Sequence, residues 1–189
     1  PTRTHRSPML SLGNVYSMEE LRDWEGGLQK LLNDEKPEYV CELKIDGLAL
    51  SILYEKGELQ AGVTRGDGSQ GDEITPNLKT LSKLPLKLES PLDLEVRGEV
   101  YLSKKHFSEL NQRRQINQEP EFKNPRNAAA GSVRMLDSNE VRRRNLDLFV
   151  YLLADGSLKP QHSENLQLLK ELQFPVNPET KTCKNINEV

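Results

Sequence analysis

The segment Lys-Ile-Asp-Gly at residues 44 to 47 has the residue types and spacing best suited to covalent chemistry. Alternating apolar and charged residues from position 39 predict a strand, which places Lys44 and Asp46 on one face with Glu42 beside them. A neutral lysine amine can attack phosphorus, but both neighbouring carboxylates favour its protonated form. Activation must therefore come from a metal, another cation or desolvation. Taken alone, the segment is more typical of a solvated, charged strand face.

Two further segments offer polar groups to an anionic ligand. Arg65 begins a glycine-rich loop over residues 65 to 71, in which guanidinium and backbone can approach an anion closely. Residues 95 to 99 alternate, so Glu95, Arg97 and Glu99 share one strand face, where they can meet sugar hydroxyls, a metal ion or one another. Taken in isolation, a hairpin turn and an inert ion-pair face are the simpler explanations.

The chain has a net charge of -3, yet its residues 123 to 144 are basic. Within this window, Asn124 followed by Pro125 is typical of a helix start. On the helix that follows, Arg126 and Arg134 lie eight residues apart, or about 12 Å, on roughly the same side, and this spacing suits successive phosphates. A solvated helix end, or a tightly packed helix with incidental arginines, is the alternative.

Length and composition indicate one globular domain, since the 189 residues are 35% hydrophobic and 29% charged. The sequence contains neither an apolar run long enough for a bilayer nor a secretory signal, so we expect a cytoplasmic protein without a membrane partner. Cys41 and Cys183 are far apart in the sequence and lack Cys-x-x-Cys spacing. They argue against a disulfide scaffold and against a zinc site in this chain.

Hydrophobic periodicity predicts the elements that must position these residues. Helices are expected at about 18 to 32, 104 to 115, 126 to 136 and 163 to 172, and strands at 39 to 46, 48 to 54, 59 to 64, 92 to 102 and 146 to 153. Lys56-Gly57 predicts the turn of a hairpin. Hairpins and helices without regular β-α-β alternation indicate an α+β fold, with antiparallel sheets flanked by helices.

Five segments together resemble the adenylation domain of bacterial NAD-dependent DNA ligases, along nearly the whole chain. They are residues 8 to 15 (PMLSLGNV), 41 to 49 (CELKIDGLA), 64 to 68 (TRGDG), 94 to 100 (LEVRGEV) and 124 to 134 (NPRNAAAGSVR). The resemblance implies a nucleotidyltransferase core of the DNA ligase type, with residues 1 to 189 as one adenylation domain.

The resemblance also implies a reaction in three steps. Lys44 would attack the α-phosphorus of NAD, release nicotinamide mononucleotide (NMN) and keep AMP as a phosphoramidate. AMP would pass to the 5′-phosphate of a nick in double-stranded DNA, and the 3′-hydroxyl would seal the strand during replication and repair. Mg²⁺ would offset phosphate charge. A monomer is implied too, with zinc only in a region outside this chain.

The same resemblance implies a role for individual residues. Lys44 and Asp46 would be catalytic, and Arg126 and Arg134 would contact DNA phosphates. The adenosine and phosphate pocket would be lined by Ser11, Leu12, Glu42, Arg65 and Glu99. No residue of this chain is assigned as a metal ligand.

Two departures from the family pattern and two alternatives complete these expectations. The two downstream lysine motifs of the family do not occur before Val189, and the N-terminal element that holds the nicotinamide half is absent. We therefore expect a piece of a longer ligase, which by itself adenylates poorly or not at all.

An ATP-dependent ligase or RNA-capping transferase would share Lys-x-Asp-Gly, although the loop and the alanine-rich helix resemble the NAD-dependent branch. A non-catalytic DNA-binding module, with Lys44 as one of several phosphate contacts, is the alternative from another class.

Overall fold

The computed structural model describes residues 1 to 33 and 35 to 189, which form two compact units. Unit 1 comprises Pro1–Met9 and Lys44–Asn177, and unit 2 comprises Leu10–Leu43 and Pro178–Val189. The strands are β1 (Thr2–Thr4), β2 (Tyr39–Cys41), β3 (Leu48–Glu55), β4 (Glu58–Thr64), β5 (Gln70–Asp72), β6 (Leu94–Tyr101), β7 (Asp147–Asp155) and β8 (Lys181–Cys183). The helices are α1 (Met18–Leu31), α2 (Thr75–Leu78), α3 (Lys104–Ile116), α4 (Pro125–Val133), α5 (Ser138–Arg143) and α6 (His162–Glu171). The predicted α+β class with antiparallel sheets is confirmed. The assignment of both units to a single domain stays a prediction.

Unit 1 is built on a four-stranded antiparallel sheet in the order β4-β3-β6-β7. Helix α4 contacts β3 and β6, and α6 contacts β7, so helices flank the sheet as expected. In the β3–β4 hairpin, Lys56 and Gly57 both have positive φ, 50° and 78°, which gives the predicted turn a twist that matches its strands. The apolar core of unit 1 includes the fully buried side chains Leu50, Ile52, Tyr54, Leu78, Val96, Val100, Leu148, Leu153 and Leu169.

The strand predicted for residues 39 to 46 is wrong beyond Cys41. Only Tyr39–Cys41 forms β2, whereas residues 42 to 46 have no regular secondary structure. A strand needs hydrogen-bonded neighbours, and the only ladder partner of β2 in the described structure, β8, supplies three residues. Lys44 and Asp46 therefore lie on an irregular segment, and the strand-face argument for their orientation does not apply.

Helix α4 begins as predicted and ends earlier than predicted. Asn124 is its N-cap, with the side-chain oxygen accepting from the Asn127 N–H at 2.8 Å, and Pro125 opens the helix. Its small face is buried, with Ala128 and Ala129 both fully inaccessible to solvent. The helix stops at Val133, rather than near residue 136.

Asn77 explains where α4 ends. This buried residue of α2 donates from its amide nitrogen to the carbonyls of Val133 at 2.8 Å and Met135 at 2.7 Å. Its amide oxygen accepts from the Ser138 hydroxyl at 2.8 Å, at the start of α5. Since helix C-termini leave carbonyls without intrahelical partners, a side chain that satisfies them sets the turn after the helix. Asn77 thus fixes the backbone on both sides of Arg134.

Unit 2 contains α1 and the β2–β8 pair. The Ser17 hydroxyl caps α1 by accepting from the Glu20 N–H at 3.1 Å, while the Glu20 carboxylate accepts from the Tyr16 N–H. Cys41 and Cys183, distant in the sequence, are free thiols with Sγ atoms 3.6 Å apart. Among the described helices, none is both long and apolar enough to cross a membrane.

Replacing Asn77 with Ala should destabilise the protein by about 2–3 kcal/mol, because one buried carbonyl, one partly buried carbonyl and a hydroxyl lose their partner. Urea unfolding measures the loss. Asn127→Ala is the matched control, since this exposed asparagine lies in the first turn of α4, away from the Asn77 contacts, and its removal should change stability by at most about 0.5 kcal/mol. Equal effects of the two substitutions would rule out the role given to Asn77.

Candidate active site

Four charged side chains from three elements of unit 1 form a charge cluster: Lys44, Asp46, Glu99 and Arg126. Lys44 and Asp46 are exposed on the segment that leads into β3. The Asp46 Oδ1 is 3.4 Å from the Arg126 Nη1, at the start of α4. Glu99 of β6 accepts from the Gly47 N–H at 3.2 Å and interacts electrostatically with the other three side chains. The cluster therefore combines an exposed amine with a second cation and two carboxylates.

Gly47 allows the Lys44 segment to approach β6. A Cβ at this position would lie 2.1 Å from the Val100 carbonyl oxygen, far inside van der Waals contact. The neighbouring atom is backbone in a central strand, so it cannot move aside cheaply. Glycine is required here because any side chain would push the segment, and Lys44 with it, away from Glu99.

Burial raises the pKa of Glu99 above its usual value of 4.5, and this effect outweighs the opposing contributions. The Gly47 N–H and the positive charges of Lys44 and Arg126 lower the pKa, while the charge of Asp46 raises it slightly. A carboxylate in this condition holds a proton more readily than an exposed one. Its ionised form is also stabilised more strongly by an additional positive charge in the site.

The backbone of Arg65 lies at the same end of the sheet as that of Glu99. Its N–H donates to the Ala49 carbonyl at 2.8 Å, and Ala49 lies opposite Glu99 in the β3–β6 pairing. Two strand spacings, or about 10 Å, thus separate the backbones of Arg65 and Glu99. The Arg65 Nε donates to the Met9 carbonyl at 3.2 Å. This partner could not be predicted from the residue types, because the bond is made by the backbone carbonyl of Met9 and not by its side chain.

Arg134 lies apart from the charge cluster. It caps the C-terminus of α4, and its Nε is 3.0 Å from the Asp72 Oδ2 at the end of β5. Arg126, by contrast, lies in the first turn of the same helix. Both guanidinium groups are exposed and each is paired with a different carboxylate, so the structure assigns them two separate surroundings.

Three predicted site residues belong to unit 2. Ser11 and Leu12 are exposed in the irregular segment before α1, with 75% of Leu12 accessible. Glu42 is half-buried and directly follows β2. Their assignment to an adenosine and phosphate pocket stays a prediction.

The sequence left Glu95 and Arg97 three kinds of partner: sugar hydroxyls, a metal ion or one another. In the structure they pair with one another. Their side chains are 3.4 Å apart and only 2% and 8% exposed, so they belong to the interior. The Ser51 hydroxyl donates to the same carboxylate at 2.7 Å. A polar serine in the apolar run of β3 was the sequence signal for this buried network.

No described residues form a group of three or more His, Cys, Asp or Glu side chains able to hold a metal ion. The charge cluster contains two carboxylates, Asp46 and Glu99, which interact electrostatically. A cation bound here would need further ligands from a substrate.

Comparison with known proteins identifies the family to which this chain belongs. All 189 residues match the family described as the NAD-dependent DNA ligase adenylation domain. Proteins named DNA ligase from Bacillus thuringiensis (strain Al Hakam), Bacillus cereus (strain G9842) and Bacillus anthracis (strain A0248) are each 50% identical over 188 residues. Each alignment covers 98% of this chain and 28% of the relative, so the chain spans less than a third of the length of these relatives.

The antiparallel α+β fold, with a lysine leading into its central sheet, is that of a nucleotidyltransferase-type domain. The chain belongs to the NAD-dependent DNA ligase adenylation domain family. The family resemblance of the five segments is thereby confirmed, and the relatives carry the name of the expected enzyme class, DNA ligase.

Replacing Glu99 with Gln should change the pH dependence of stability. Because its pKa is raised on folding, Glu99 contributes stability that is fully present below the unfolded value of 4.5 and is lost as the pH rises through the folded value. Glutamine keeps an oxygen for the Gly47 N–H and does not titrate. The free energy of unfolding of the variant, minus that of the native chain, should therefore increase between pH 4.5 and neutral pH. Urea titrations at the two pH values measure it, and a constant difference would contradict the argument.

Proposed function

We propose that this chain is the adenylate-accepting part of an NAD-dependent DNA ligase, with Lys44 as the residue that becomes linked to AMP. The observation that carries the proposal is the exposed Lys44 amine within the charge cluster of a chain that belongs to this family. The proposed substrates are NAD and nicked double-stranded DNA.

In the proposed first step the Lys44 Nζ, as a neutral amine, attacks the α-phosphorus of NAD. A nitrogen–phosphorus bond forms, the bond from that phosphorus to the bridging pyrophosphate oxygen breaks, and NMN leaves with the electron pair while the amine gives up a proton. The neighbouring carboxylate, Asp46, is paired with Arg126 at 3.4 Å. The family resemblance is the basis on which we propose that Asp46 supports Lys44 in this step.

Phosphate binding in this proposal relies on two arginines, of which Arg126 has a weak partner and Arg65 is held in place. Arg126 pairs with an exposed carboxylate, and the Arg65 guanidinium is anchored through its Nε to a carbonyl. Exposed ion pairs contribute little stability, so a phosphate can replace Asp46 at low cost. Charge-assisted hydrogen bonds from planar guanidinium groups then hold the pyrophosphate for in-line attack.

The family implies Mg²⁺, and the site fits the modest demands of that ion. Magnesium usually takes one or two carboxylates from the protein and the rest of its ligands from water and phosphate oxygens. Glu99 and Asp46 would hold it in this chain. Bound Mg²⁺ would neutralise the charge that develops on the phosphate. A partly buried Glu99, whose pKa burial raises, gains stability from such a neighbouring cation.

For the later steps we propose that Arg126 and Arg134 contact the DNA backbone. The two residues lie about 12 Å apart along α4, a distance that suits phosphates of one strand. Each would exchange an exposed aspartate for a phosphate. AMP passes from Lys44 to the 5′-phosphate, and the 3′-hydroxyl then displaces AMP.

A ligase that acts on bacterial chromosomal DNA works in the cytoplasm, which is the proposed location. The monomeric state stays a prediction from the family resemblance.

Lys44→Ala and Lys44→Arg should both abolish covalent labelling by NAD that carries the label in its α-phosphate. Alanine removes the nucleophile, and an arginine side chain stays protonated and cannot attack. The experiment places the 189 residues in the Bacillus cereus (strain G9842) DNA ligase, in place of its 50% identical segment. Mass spectrometry of the labelled peptide identifies the linked residue.

Lys79→Ala is the matched control, because this lysine is exposed in the same unit and outside the charge cluster. It should retain full labelling. Labelling at another residue, or with ATP in place of NAD, would overturn the proposed donor or nucleophile. Loss of DNA binding in Lys44→Ala with unchanged ligation would favour a non-catalytic DNA-binding module.

Arg126→Ala and Arg134→Ala should each weaken binding of the same protein to a nicked duplex and make it less dependent on salt. Loss of one phosphate contact lowers the slope of log affinity against log salt by about 0.9. Fluorescence anisotropy across a salt series measures the slope. Arg22→Ala, exposed on α1 in unit 2, is the control and should leave it unchanged. An unchanged slope for Arg134→Ala would remove that residue from the interface.

A further inference from the structure

Arg97 makes more contacts than a buried ion pair requires. Its contacts with Glu95 are long, at 3.4 Å from both Nε and Nη2. Its short bonds go to an N-terminal segment, from Nη1 to the Pro8 carbonyl at 3.0 Å and from Nη2 to the Ser7 carbonyl at 2.8 Å and hydroxyl at 2.6 Å. The guanidinium is therefore aimed at the segment, with Glu95 neutralising its charge from behind.

The segment held by Arg97 has no strand partner of its own. Strand β1 ends at Thr4, and residues 5 to 9 have no strand or helix structure. Pro8 also lacks an N–H with which to join a ladder. Ser7 and Pro8 are exposed residues, but their carbonyls accept partly buried bonds from Arg97, so the Arg97 side chain supplies the donors that a neighbouring strand would otherwise provide. Loss of its planar fork would leave two carbonyls without their donors.

The next residue of the segment connects this contact to Arg65. Met9 is buried, and its N–H donates to the Gly68 carbonyl at 2.8 Å. Its own carbonyl accepts from the Arg65 Nε at 3.2 Å. On the other side, the His5 N–H donates to the Ser69 carbonyl at 2.9 Å. The segment thus lies along the loop that follows Arg65, with Arg97 holding its middle.

We propose that Arg97 is a positioning residue for Arg65: it clamps residues 7 and 8, and thereby holds the Met9 carbonyl that orients the Arg65 guanidinium toward a bound phosphate. This inference rests on the proposed function for the ligand of Arg65. The contact chain Arg97, Pro8, Met9, Arg65 lies within unit 1. Arginine is needed because lysine, with a single compact ammonium, cannot reach both carbonyls in the same plane.

Hydrogen exchange tests the clamp independently of any activity. Arg97→Lys keeps the positive charge opposite Glu95. In this variant the Met9 and His5 amides should exchange roughly 10-fold faster, because the segment can open without breaking the hydrogen bonds to Arg97. Ser51→Ala is the matched control. It weakens the same buried network by removing the 2.7 Å bond to Glu95, and does not touch the segment. Unchanged exchange in Arg97→Lys, or equal acceleration in Ser51→Ala, overturns the clamp.

A double-mutant cycle on NAD labelling, in the Bacillus cereus chimera, tests the effect on Arg65. Arg97→Lys should reduce the labelling rate roughly 10- to 100-fold, and should add little once Arg65 is Ala, because both changes remove the same oriented guanidinium. Ser51→Ala should act independently of Arg65→Ala. If the reductions in labelling rate caused by Arg97→Lys and Arg65→Ala multiply in the double variant, the positioning role is overturned. If the native chimera is not labelled while exchange behaves as expected, the proposed function fails and the clamp remains.

Discussion

The antiparallel pairing of β3 with β6 is the interaction on which the site depends. In its register Ala49 lies opposite Glu99 and Ser51 lies opposite Arg97. Because side chains alternate along a strand, a slip of one residue would exchange the two faces of β6. Glu99 would then point away from Gly47. The apolar residues that alternate with the polar ones are buried, and their burial makes such a slip costly.

The charged residues of unit 1 discussed above fall into two groups, buried and exposed, and the two groups differ in how permanent their ion pairs are. Glu95 and Arg97 are almost fully buried, where an unpaired charge would cost several kcal/mol, so their partners are permanent and internal. Asp46 and Arg126 are exposed, and their ion pair is weak enough to exchange for a ligand. Glu99 lies between these extremes. It is sheltered enough for its pKa to rise and close enough to the surface to meet a substrate.

Much of the secondary structure could be predicted because its signals are local. The strand and helix periods and the Lys56-Gly57 turn located the β3–β4 hairpin, α3 and α6 to within a few residues. The short strands β1, β5 and β8 were missed, since each has three residues and exists only through a distant partner. The strand expected through position 46 was wrong for the same reason, because alternation alone cannot supply a ladder.

The candidate site shows the same division. Sequence spacing singled out Lys44, Asp46, Arg65 and Glu99, and the structure brings Lys44, Asp46 and Glu99 into one cluster. It adds Arg126, predicted only as a phosphate contact, to that cluster, and separates Arg134 from it. Gly47 was recognised as part of a motif, but the reason for a glycine lies in the Val100 carbonyl of another strand.

By itself the sequence determined the family, the types of the reactive residues and the local elements that hold them, since each depends on neighbours in the chain. Only the tertiary structure decided which distant groups meet. Asp46 pairs with a residue 80 positions away, and Arg97 bonds a residue 90 positions away. Such contacts follow from strand register and from helix packing on the sheet. Periods of 2 and 3.6 residues say which face of an element is apolar, and leave open which other element that face will meet.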